Sequence, residues 1–440
     1  MTEHFVQVRG TQLILNGSLY RFAGANMWFG CYLGSPGPTG RRERLCRELD
    51  RLAENGITNI RIMASSESST ISHAVRPPIM RSPDDIDEDL LRGLDFILAR
   101  MAERDMRAVL YLTNFWDWSG GMSSYNAWAT GARGFDPEEP GHTWAAFVDQ
   151  TATFYANARA QELYRTQVRR IVTRTNSENG RVYNSDPTIM AWQLSNEPRP
   201  GASMPVAERT IPHMIRWMDE TAAYIHALDG NHLVSTGSEG TEGCLGSDEH
   251  FTSAHRSPHI DYLTFHLWPY NWRWFDPLRP EETMPVTRDR SRAYVGRHVD
   301  LARTLGKPLV LEEFGLTRDG GAVDAFSPTT SRDAFFAFLA DMHCGLTGPD
   351  SPFAGSNFWT WGGEGHEVQK DDSWKPGEHV PGDPPHEPQG LNAVYDTDAS
   401  TMAVLRAYAA TLRSIGEPPA PDAAAGWFAH LLARVRSRFG

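Results

Sequence analysis

The sequence predicts a single large α/β domain, a (β/α)8 barrel of the TIM type. Three observations support this fold class. Eight short apolar runs typical of buried strands alternate along the chain with segments of helical period. Several runs end in polar or aromatic side chains, as barrel strands do at their functional face. No internal repeat or glycine-rich phosphate loop favours another architecture, and a doubly wound open sheet is the alternative.

The elements follow in order along the chain. Residues 5–22 alternate apolar and polar side chains around Asn16-Gly17, which predicts a hairpin that closes the barrel floor. Strands are predicted at 20–26, 57–63, 107–113, from Ile189 onward, and at 233–236, 262–266, 309–313 and 356–361. Helices are predicted at 41–55, 87–104, 143–174, 213–228, 292–305, 332–344 and 402–412. The long connections expected to form the cleft are 114–141, 267–290 and 362–395.

The carboxyl-terminal residues are predicted to lie outside the barrel. Residues 1–415 form the catalytic domain in this interpretation. The run Glu-Pro-Pro-Ala-Pro at 417–421 has the composition of a linker, and the apolar residues at 427–435 predict a terminal helix. We therefore expect residues 416–440 to form a linker and a helix packed on or near the barrel.

The composition limits the classes of partner. The chain carries 42 basic and 55 acidic residues, a net charge of −13. No basic block is present, so neither nucleic acid nor an anionic membrane surface is expected as a partner. No apolar run is long enough to predict a membrane span. The 14 tryptophans suit a cleft that stacks against the flat faces of a ligand.

The cysteines and the amino terminus indicate a cytoplasmic protein. Cys31, Cys46, Cys244 and Cys344 include no C-x-x-C pair, and their wide spacing fits free thiols in a reducing compartment. The first residues lack the basic and apolar regions of a signal peptide. A cytoplasmic location is therefore expected, and secretion is the alternative if a signal has been removed. The oligomeric state is left open.

Two predicted strands end in carboxylates. Asn-Glu-Pro at 196–198 follows an apolar run, and Pro198 ends the strand ladder because it has no N–H to donate. Leu-Glu-Glu-Phe-Gly at 311–315 ends a second run in the same way. One such end alone is more often a solvated strand terminus. Two of them at one face of a barrel indicate the carboxylate pair that hydrolyses glycosides.

Other predicted strand ends add polar and aromatic side chains to this face. If the barrel is correct, they form a ring around one cleft, because all parallel strands end on the same side. Each member alone has a structural explanation, such as a core histidine or a packed tryptophan, but together they fit a sugar site. The ring consists of Asn26, Trp28, Arg61, Asn114, Trp116, Asn196, Glu197, Glu239, His266, Trp268, Glu313, Trp359 and Trp361.

At these residues the sequence resembles glycoside hydrolase family 5. The motifs are Trp-Gln-Leu-Ser-Asn-Glu-Pro-Arg at 192–199, Phe-His-Leu-Trp-Pro-Tyr-Asn-Trp at 265–272, Leu-Glu-Glu-Phe-Gly at 311–315 and Asn-Phe-Trp-Thr-Trp-Gly-Gly at 357–363. Within the family, Gly-Ala-Asn-Met-Trp at 24–28 and Leu-Thr-Asn-Phe-Trp-Asp-Trp-Ser-Gly-Gly at 112–121 are similar to the β-mannanase and β-mannosidase branch. The likeness covers roughly residues 10–410, and the combination of motifs is specific.

The resemblance implies a role for each matching residue. Glu197 would be the general acid/base, kept protonated by a neighbouring negative charge that raises its pKa. Glu313 would be the nucleophile of a retaining mechanism, which places the two carboxyls about 5–5.5 Å apart. Arg61 would keep Glu313 ionised, Asn196 would bind the sugar 2-hydroxyl, and His266 would orient the acid/base or a substrate hydroxyl. Substrate contacts are further implied for Trp28, Asn114, Trp116, Trp268, Tyr270 and Trp361, and for Trp359 as the platform beneath the reacting sugar.

Two assignments stay open between neighbours. Glu312 competes with Glu313, and strand alternation admits only one of the two to the cleft; the Glu-Phe-Gly motif favours Glu313. The wider family often has Tyr two residues after the histidine of the sixth strand. Trp268 occupies that position here and Tyr270 follows it. Either of these two is expected to hydrogen-bond the nucleophile.

The resulting function is retaining hydrolysis of β-1,4-linked mannosides, without cofactor or metal because the mechanism needs only carboxylates. Exo action on short oligosaccharides is preferred, since a cytoplasmic enzyme meets imported oligosaccharides rather than an insoluble polymer. The long connections can also close one end of the cleft. An endo-acting mannanase, a β-glucanase of the same family and a non-catalytic carbohydrate-binding barrel are the alternatives. The tryptophans available as barriers are Trp128, Trp272, Trp274 and Trp374.

Overall fold

The structure, a computed structural model, describes residues 4–71, 73–348, 350–365, 382–385 and 387–415. The barrel strands are β1 (Phe22–Asn26), β2 (Ile57–Met63), β3 (Arg107–Tyr111), β4 (Ile189–Gln193), β5 (Leu233–Ser235), β6 (Leu263–Leu267), β7 (Leu309–Phe314) and β8 (Phe353–Phe358). They pair in parallel in the order β5-β4-β3-β2-β1-β8-β7-β6. This confirms the predicted eight-stranded barrel.

The sheet is nearly closed, because β5 and β6 stand at its two ends. The chain just before β6 connects them: Asp261 N–H donates to the Val234 carbonyl at 2.8 Å, and Val234 N–H donates to the Asp261 carboxylate at 2.7 Å. Further along, His266 N–H donates to the Glu239 carbonyl at 3.1 Å. These bonds close the barrel without a regular ladder.

Helices surround the sheet and cover its outer face. Asp87 shows how one of them begins: its side chain accepts the Leu90 N–H at 3.1 Å, and Leu90, Leu94 and Ile97 then face the core. The α-helices are Gly30–Gly34, Arg42–Glu54, Glu88–Ala102, Gly121–Thr130, Trp144–Ala152, Ala158–Val172, Met204–Leu228, Asp248–His255, Pro280–Leu305, Thr330–Leu346 and Ala399–Ser414. Short 3-10 turns lie at Asp117–Ser119, Thr153–Ala156, Tyr183–Ser185, Glu242–Cys244 and Asp319–Gly321.

The predicted amino-terminal hairpin closes the barrel floor. Its strands Gln12–Leu15 and Ser18–Leu19 are joined by Asn16 and Gly17, whose φ angles of 52° and 80° suit the turn type that Asn-Gly favours. Buried side chains of this segment pack against apolar residues inside the barrel. The cluster comprises Val6, Leu13, Phe22, Val109, Met190, Ala191, Leu233, Tyr262, Val310 and Ala354.

Several predicted helix boundaries are wrong. The predicted helix 213–228 begins at Met204, and the predicted helix 292–305 begins at Pro280. Pro212 and Pro285 lie inside these helices, so both helices begin before an internal proline. The connection 267–290 is therefore partly helical, and the connection 114–141 contains the helix Gly121–Thr130. Residues 248–255 form a helix that was not predicted.

The eighth strand lies three residues earlier than predicted, at Phe353–Phe358 instead of 356–361. Its register with β1 pairs Gly355 with Phe22. A Cβ at position 355 would come within 2.4 Å of the Phe22 ring, so this strand position requires glycine. Trp361 belongs to a separate short pair in which Trp361–Gly363 lies beside Val394–Tyr395.

The predicted linker and terminal helix at 416–440 lie outside the described residues, so the division at residue 415 stays a prediction. Trp374 also lies outside them. Among the residues that the structure does describe, no helix combines the length and the apolar character needed to cross a bilayer.

We predict that Gly355→Ala lowers the free energy of unfolding by roughly 1–3 kcal/mol, because the added methyl overlaps the Phe22 ring. Gly296→Ala is the matched control. Gly296 lies within a helix and a Cβ there meets nothing within 4 Å, so alanine should leave stability unchanged or raise it slightly. Urea unfolding of the two variants measures both effects. Equal stability of the two variants would contradict the packing of β8 against β1.

Candidate active site

The carboxyl ends of the strands surround a cavity of about 310 Å³ that contains both predicted catalytic glutamates. Glu197 follows β4 and Glu313 lies in β7. The cavity combines carboxylates with several indole rings, which is the side-chain composition of a sugar site. It is lined by Trp116, Trp118, Trp144, Asn196, Glu197, Arg199, Glu239, Trp268, Asn271, Trp272, Glu313, Trp359, Pro384 and Glu387.

Glu197 is held in an uncommon backbone conformation, with a φ angle of 47°. Two backbone bonds fix it: Asn196 N–H donates to the Thr113 carbonyl at 2.8 Å, and Glu197 N–H donates to the Gly237 carbonyl at 2.9 Å. The neighbouring connections after β3 and β5 therefore impose the turn. Such conformations persist where the surroundings over-determine them, often at functional positions.

Glu312 and Glu313 both point into the barrel, which corrects the expectation from strand alternation. The pairing of β7 with β6 is irregular between Leu311 and Glu313. This break in the alternating pattern lets two successive side chains face the same side. Glu313 lines the cavity, whereas Glu312 lies below it and accepts from the Gln193 amide at 2.5 Å. The preference for Glu313 as the nucleophile is therefore supported by its position in the lining of the cavity. The argument from strand alternation is wrong.

Arg61 connects the strands beneath the cavity. Its guanidinium donates to Glu313 Oε1 at 2.5 Å, to Asn196 Oδ1 at 2.7 Å and to Gln193 Oε1 at 2.8 Å. The group is fully buried and stacks over the Tyr111 ring at 4.8 Å. A buried guanidinium is stable only when its N–H donors have acceptors and its charge has a counter-charge. Here the Glu313 carboxylate and the two amide oxygens accept the N–H groups, and the carboxylate also balances the charge.

His266 lies between the two catalytic carboxylates. Its Nδ1 is 2.5 Å from Glu197 Oε1 and 3.3 Å from Glu313 Oε2. Burial lowers the pKa of His266, but the charges of the two glutamates outweigh burial and raise it to about 10. Burial raises the pKa of Glu197, but the effects of His266, Arg199 and Trp116 outweigh burial and lower this pKa to about 2. These neighbours thus lower the pKa of Glu197 in the free site, opposite to the direction that the sequence led us to expect.

Trp116 contacts the second carboxylate oxygen of Glu197. Its indole N–H donates to Glu197 Oε2. One face of the ring is covered by Trp144, stacked at 5.5 Å and 12°, and the Arg199 guanidinium lies 5.1 Å from its centroid. Arg199 also donates to Glu239, whose pKa burial raises to about 7 against the effect of that arginine. Trp116 is thus held between a ring and a cation with its N–H directed at Glu197.

The other predicted aromatic residues divide into two groups. Trp359 and Trp268 line the cavity and meet edge to face at 6.1 Å. Trp28 and Trp361 are fully buried and do not line it. Trp28 instead lies behind the residues that line the cavity, and its indole N–H donates to the Gly382 carbonyl at 2.7 Å. A strand-end position alone could not separate these cases.

Tyr270 and Asn114 lie beside the site rather than in it. Tyr270 is exposed and does not line the cavity. The oxygens of Glu313 contact Arg61 and His266, not Trp268 or Tyr270. Asn114 accepts from the Asn196 amide at 3.1 Å and so supports the acid/base turn from below.

Sequence reasoning missed several residues of the cavity wall. Arg199 follows Glu197 by two positions inside a motif that was recognised, so that signal was available. Trp144 opens a helix and shows no strand-end signal. Pro384 and Glu387 lie in the connection after β8, and nothing in their local sequence directs them to the cavity. The missed lining residues are Trp118, Trp144, Arg199, Asn271, Pro384 and Glu387.

Of the tryptophans predicted as barriers, one lines the cavity and two pack elsewhere. Trp272 lines the cavity, whereas Trp128 meets Tyr125 edge to face at 5.4 Å and Trp274 packs against Tyr294. These last two stabilise the connections instead of closing the cleft.

One group in the described part of the chain has the geometry to hold a cation. Glu197, His266 and Glu313 each offer one ligand atom, and these atoms lie within 4.8 Å of one another. The guanidinium of Arg61, 2.5 Å from Glu313, already supplies a positive charge at this point. The donor set therefore fits two carboxylates bridged by a histidine better than a site for a divalent cation.

A barrel whose carboxyl face holds two opposed glutamates among indole rings is the architecture of a glycosidase. The chain belongs to glycoside hydrolase family 5: residues 3–417 match the model of the GH family 5 beta-mannosidase-like group. It is a glycoside hydrolase of the mannosidase and mannanase type, which confirms the resemblance drawn from the motifs.

Relatives of two kinds are similar to this chain. The crystal structure of a glycoside hydrolase family 5 mannosidase from Rhizomucor miehei is 32% identical with a TM-score of 0.86, and the match covers 94% of this chain and 98% of that one. A glutamate-to-alanine mutant of that enzyme has been solved in complex with mannosyl-fructose. Mannan endo-1,4-beta-mannosidase 3 of Oryza sativa subsp. japonica is 30% identical over 374 residues, 80% of this chain and 72% of the relative.

We predict that Glu313→Ala lowers kcat on an aryl β-mannoside by roughly a thousandfold or more, because the group that attacks the sugar is lost. Glu312→Ala is the matched control in the adjacent position. It should change kcat by less than about tenfold and mainly lower stability, since it removes a buried partner of Gln193 and Arg61. Steady-state rates and thermal unfolding of both variants test this. A near-normal kcat for Glu313→Ala would refute the assignment.

Proposed function

We propose that this chain is a retaining, exo-acting β-mannosidase that removes single mannose residues from the non-reducing ends of short β-mannosides. The observation that carries the proposal is the geometry of Glu197 and Glu313. One oxygen of each lies within 4.8 Å of the other. This spacing suits a retaining enzyme, since inverting enzymes leave about 6.5–9.5 Å for a water molecule.

In the first step Glu313 attacks the anomeric carbon and the bond to the leaving oxygen breaks. Arg61 orients the Glu313 carboxylate through Oε1, which leaves Oε2 towards His266 and the cavity. Asn196, fixed by Arg61, is available for the 2-hydroxyl of the reacting sugar. Trp359 lines the cavity next to β7 and supplies an apolar face for the sugar ring.

The leaving oxygen needs a proton, and His266 and Glu197 supply it together. We place this proton on His266 Nδ1, 2.5 Å from Glu197 Oε1, because the charges of both glutamates raise the pKa of His266. When Glu313 bonds to the sugar it loses its charge, and His266 loses one of the two carboxylates that raise its pKa. The proton then passes to Glu197 and on to the leaving oxygen. In the second step Glu197 takes a proton from water, which attacks the anomeric carbon and frees Glu313.

The size of the cavity supports action on the terminal sugar. About 310 Å³ is at the low end of the roughly 300–1,000 Å³ of ligand pockets. Pro384 and Glu387 close part of its wall. Glu387 and both candidate catalytic glutamates line this one cavity. We infer that the wall of Pro384 and Glu387 bounds the glycone end of the cavity, where it would exclude further sugars beyond the non-reducing end.

The relatives support a preference for mannosides and action on small substrates. The mannosidase from Rhizomucor miehei is known in complex with mannosyl-fructose, a disaccharide. The plant relative is an endo-acting mannan hydrolase, which makes endo action the second candidate.

We also propose a cytoplasmic location, because the four cysteines are free in the structure and two of them are buried.

The retaining mechanism predicts that the first product carries the β-anomeric configuration. Two successive displacements at the anomeric carbon, by Glu313 and then by water, restore the starting configuration. Proton NMR of the product during the first turnovers, before mutarotation, should show the β-signal. Early accumulation of the α-anomer would refute the double displacement.

Exo action predicts stepwise shortening of mannohexaose labelled at its reducing end. The labelled chain should lose one mannose at a time, because the wall of Pro384 and Glu387 would admit a single sugar. Chromatography of early time points, with Glu313→Ala as the inactive control, reads the order of products. Labelled fragments of middle length at the earliest times, with a rapid viscosity drop on galactomannan, would establish endo action instead.

A further inference from the structure

The wall formed by Pro384 and Glu387 belongs to a segment whose described residues form neither a helix nor a strand. Its described residues are 382–385 and 387–393. Two side chains of this wall segment reach the cavity, while the segment itself has only turns and bends. Something other than secondary structure must therefore keep it in place.

Asp383 ties the two ends of the wall segment together. Its carboxylate is fully buried and accepts three backbone N–H groups, from Gly390 at 2.9 Å, Asn392 at 3.0 Å and Ala393 at 3.3 Å. These bonds span seven, nine and ten residues. They close a loop with Glu387 at its centre, so one carboxylate sets the position of that side chain.

Two further contacts fix the loop internally. The Gln389 amide donates to the carbonyls of Pro384 at 2.8 Å and Glu387 at 2.9 Å. Gly390 has a φ angle of 96°, and a Cβ there would lie 2.2 Å from the Val323 carbonyl oxygen. Only glycine can therefore bring its N–H to the Asp383 carboxylate in this conformation.

Arg332 joins this loop to the nucleophile strand. The arginine is fully buried, and it donates to the Ala393 carbonyl at 2.9 Å and to the Leu316 carbonyl at 2.8 Å. Leu316 follows Glu313 by three residues. The charge of Arg332 also offsets part of the burial of Asp383, whose carboxylate would otherwise be strongly disfavoured. The wall is thus attached to the chain just after β7, three residues beyond Glu313.

We propose that Asp383 is a positioning residue that holds Pro384 and Glu387 in the wall of the cavity and thereby restricts cleavage to the terminal sugar. The inference rests on the proposed exo function. Asp383 contacts neither glutamate and lies outside the lining of the cavity. Its loss should alter which substrates fit while leaving the chemistry intact.

The test is Asp383→Asn, which keeps the shape but removes the charge and sets an NH2 group against backbone N–H donors. We expect the KM for an aryl β-mannoside to rise roughly tenfold, because strong charge-assisted bonds are lost and the wall moves. The kcat should stay within about threefold. Labelled mannohexaose should now give fragments of middle length at early times.

Asp186→Asn is the matched control. Asp186 is also buried and accepts a backbone N–H, from Thr188 at 3.0 Å, but it precedes β4 at the opposite end of the barrel. It should lower stability without changing KM or the products. If Asp383→Asn does not fold, Gly390→Ala tests the same loop, because its methyl cannot be placed without moving the Asp383 contact.

Unchanged KM and unchanged products in a folded Asp383 or Gly390 variant would overturn the proposal, as would a fall in kcat at constant KM. The exo function is judged separately, on the wild type. If wild-type enzyme already releases fragments of middle length, the exo function fails; the positioning role fails when the KM of the variant equals that of the wild type.

Discussion

The ion pair between Arg61 and Glu313 is the interaction on which the rest of the site depends. Both groups are buried, so neither charge is tolerated without the other. The same guanidinium donates to Asn196 and Gln193, which links β2 to β4 and β7 through one side chain. The positions of Glu313, of the Asn196 amide beside Glu197 and of the polar layer around Glu312 are therefore set together. A change in any of these partners leaves a buried charge or donor unmatched.

The sequence predicted the barrel and the carboxylate pair because both depend on regular patterns. Buried parallel strands are apolar throughout, and their carboxyl ends meet at one face, so Glu197 and Glu313 could be assigned to a common site without coordinates. The hairpin at Asn16-Gly17 was predicted for a similar reason, since its turn type follows from two residues. Position along a strand was sufficient for these features.

Features that depend on irregular backbone or on distant contacts were not predictable. The irregular pairing of β7 directs Glu312 inward beside Glu313, which no alternating pattern indicates. Trp361 has the sequence position of a site residue, yet it packs in the core because the strand before it ends earlier. Glu387 reaches the cavity through a loop held by Asp383, and only the folded chain brings these contacts together. The protonation of the site likewise depends on His266 lying between two carboxylates.

The measurement that tests the account most directly is covalent trapping of the nucleophile. A fluorinated mannosyl fluoride forms the glycosyl-enzyme quickly and releases it slowly, so the adduct accumulates on the side chain that attacks. Protease digestion and tandem mass spectrometry then locate it within the peptide that contains both Glu312 and Glu313. The account predicts one adduct per chain on Glu313. An adduct on Glu312, or turnover without any adduct, would contradict it.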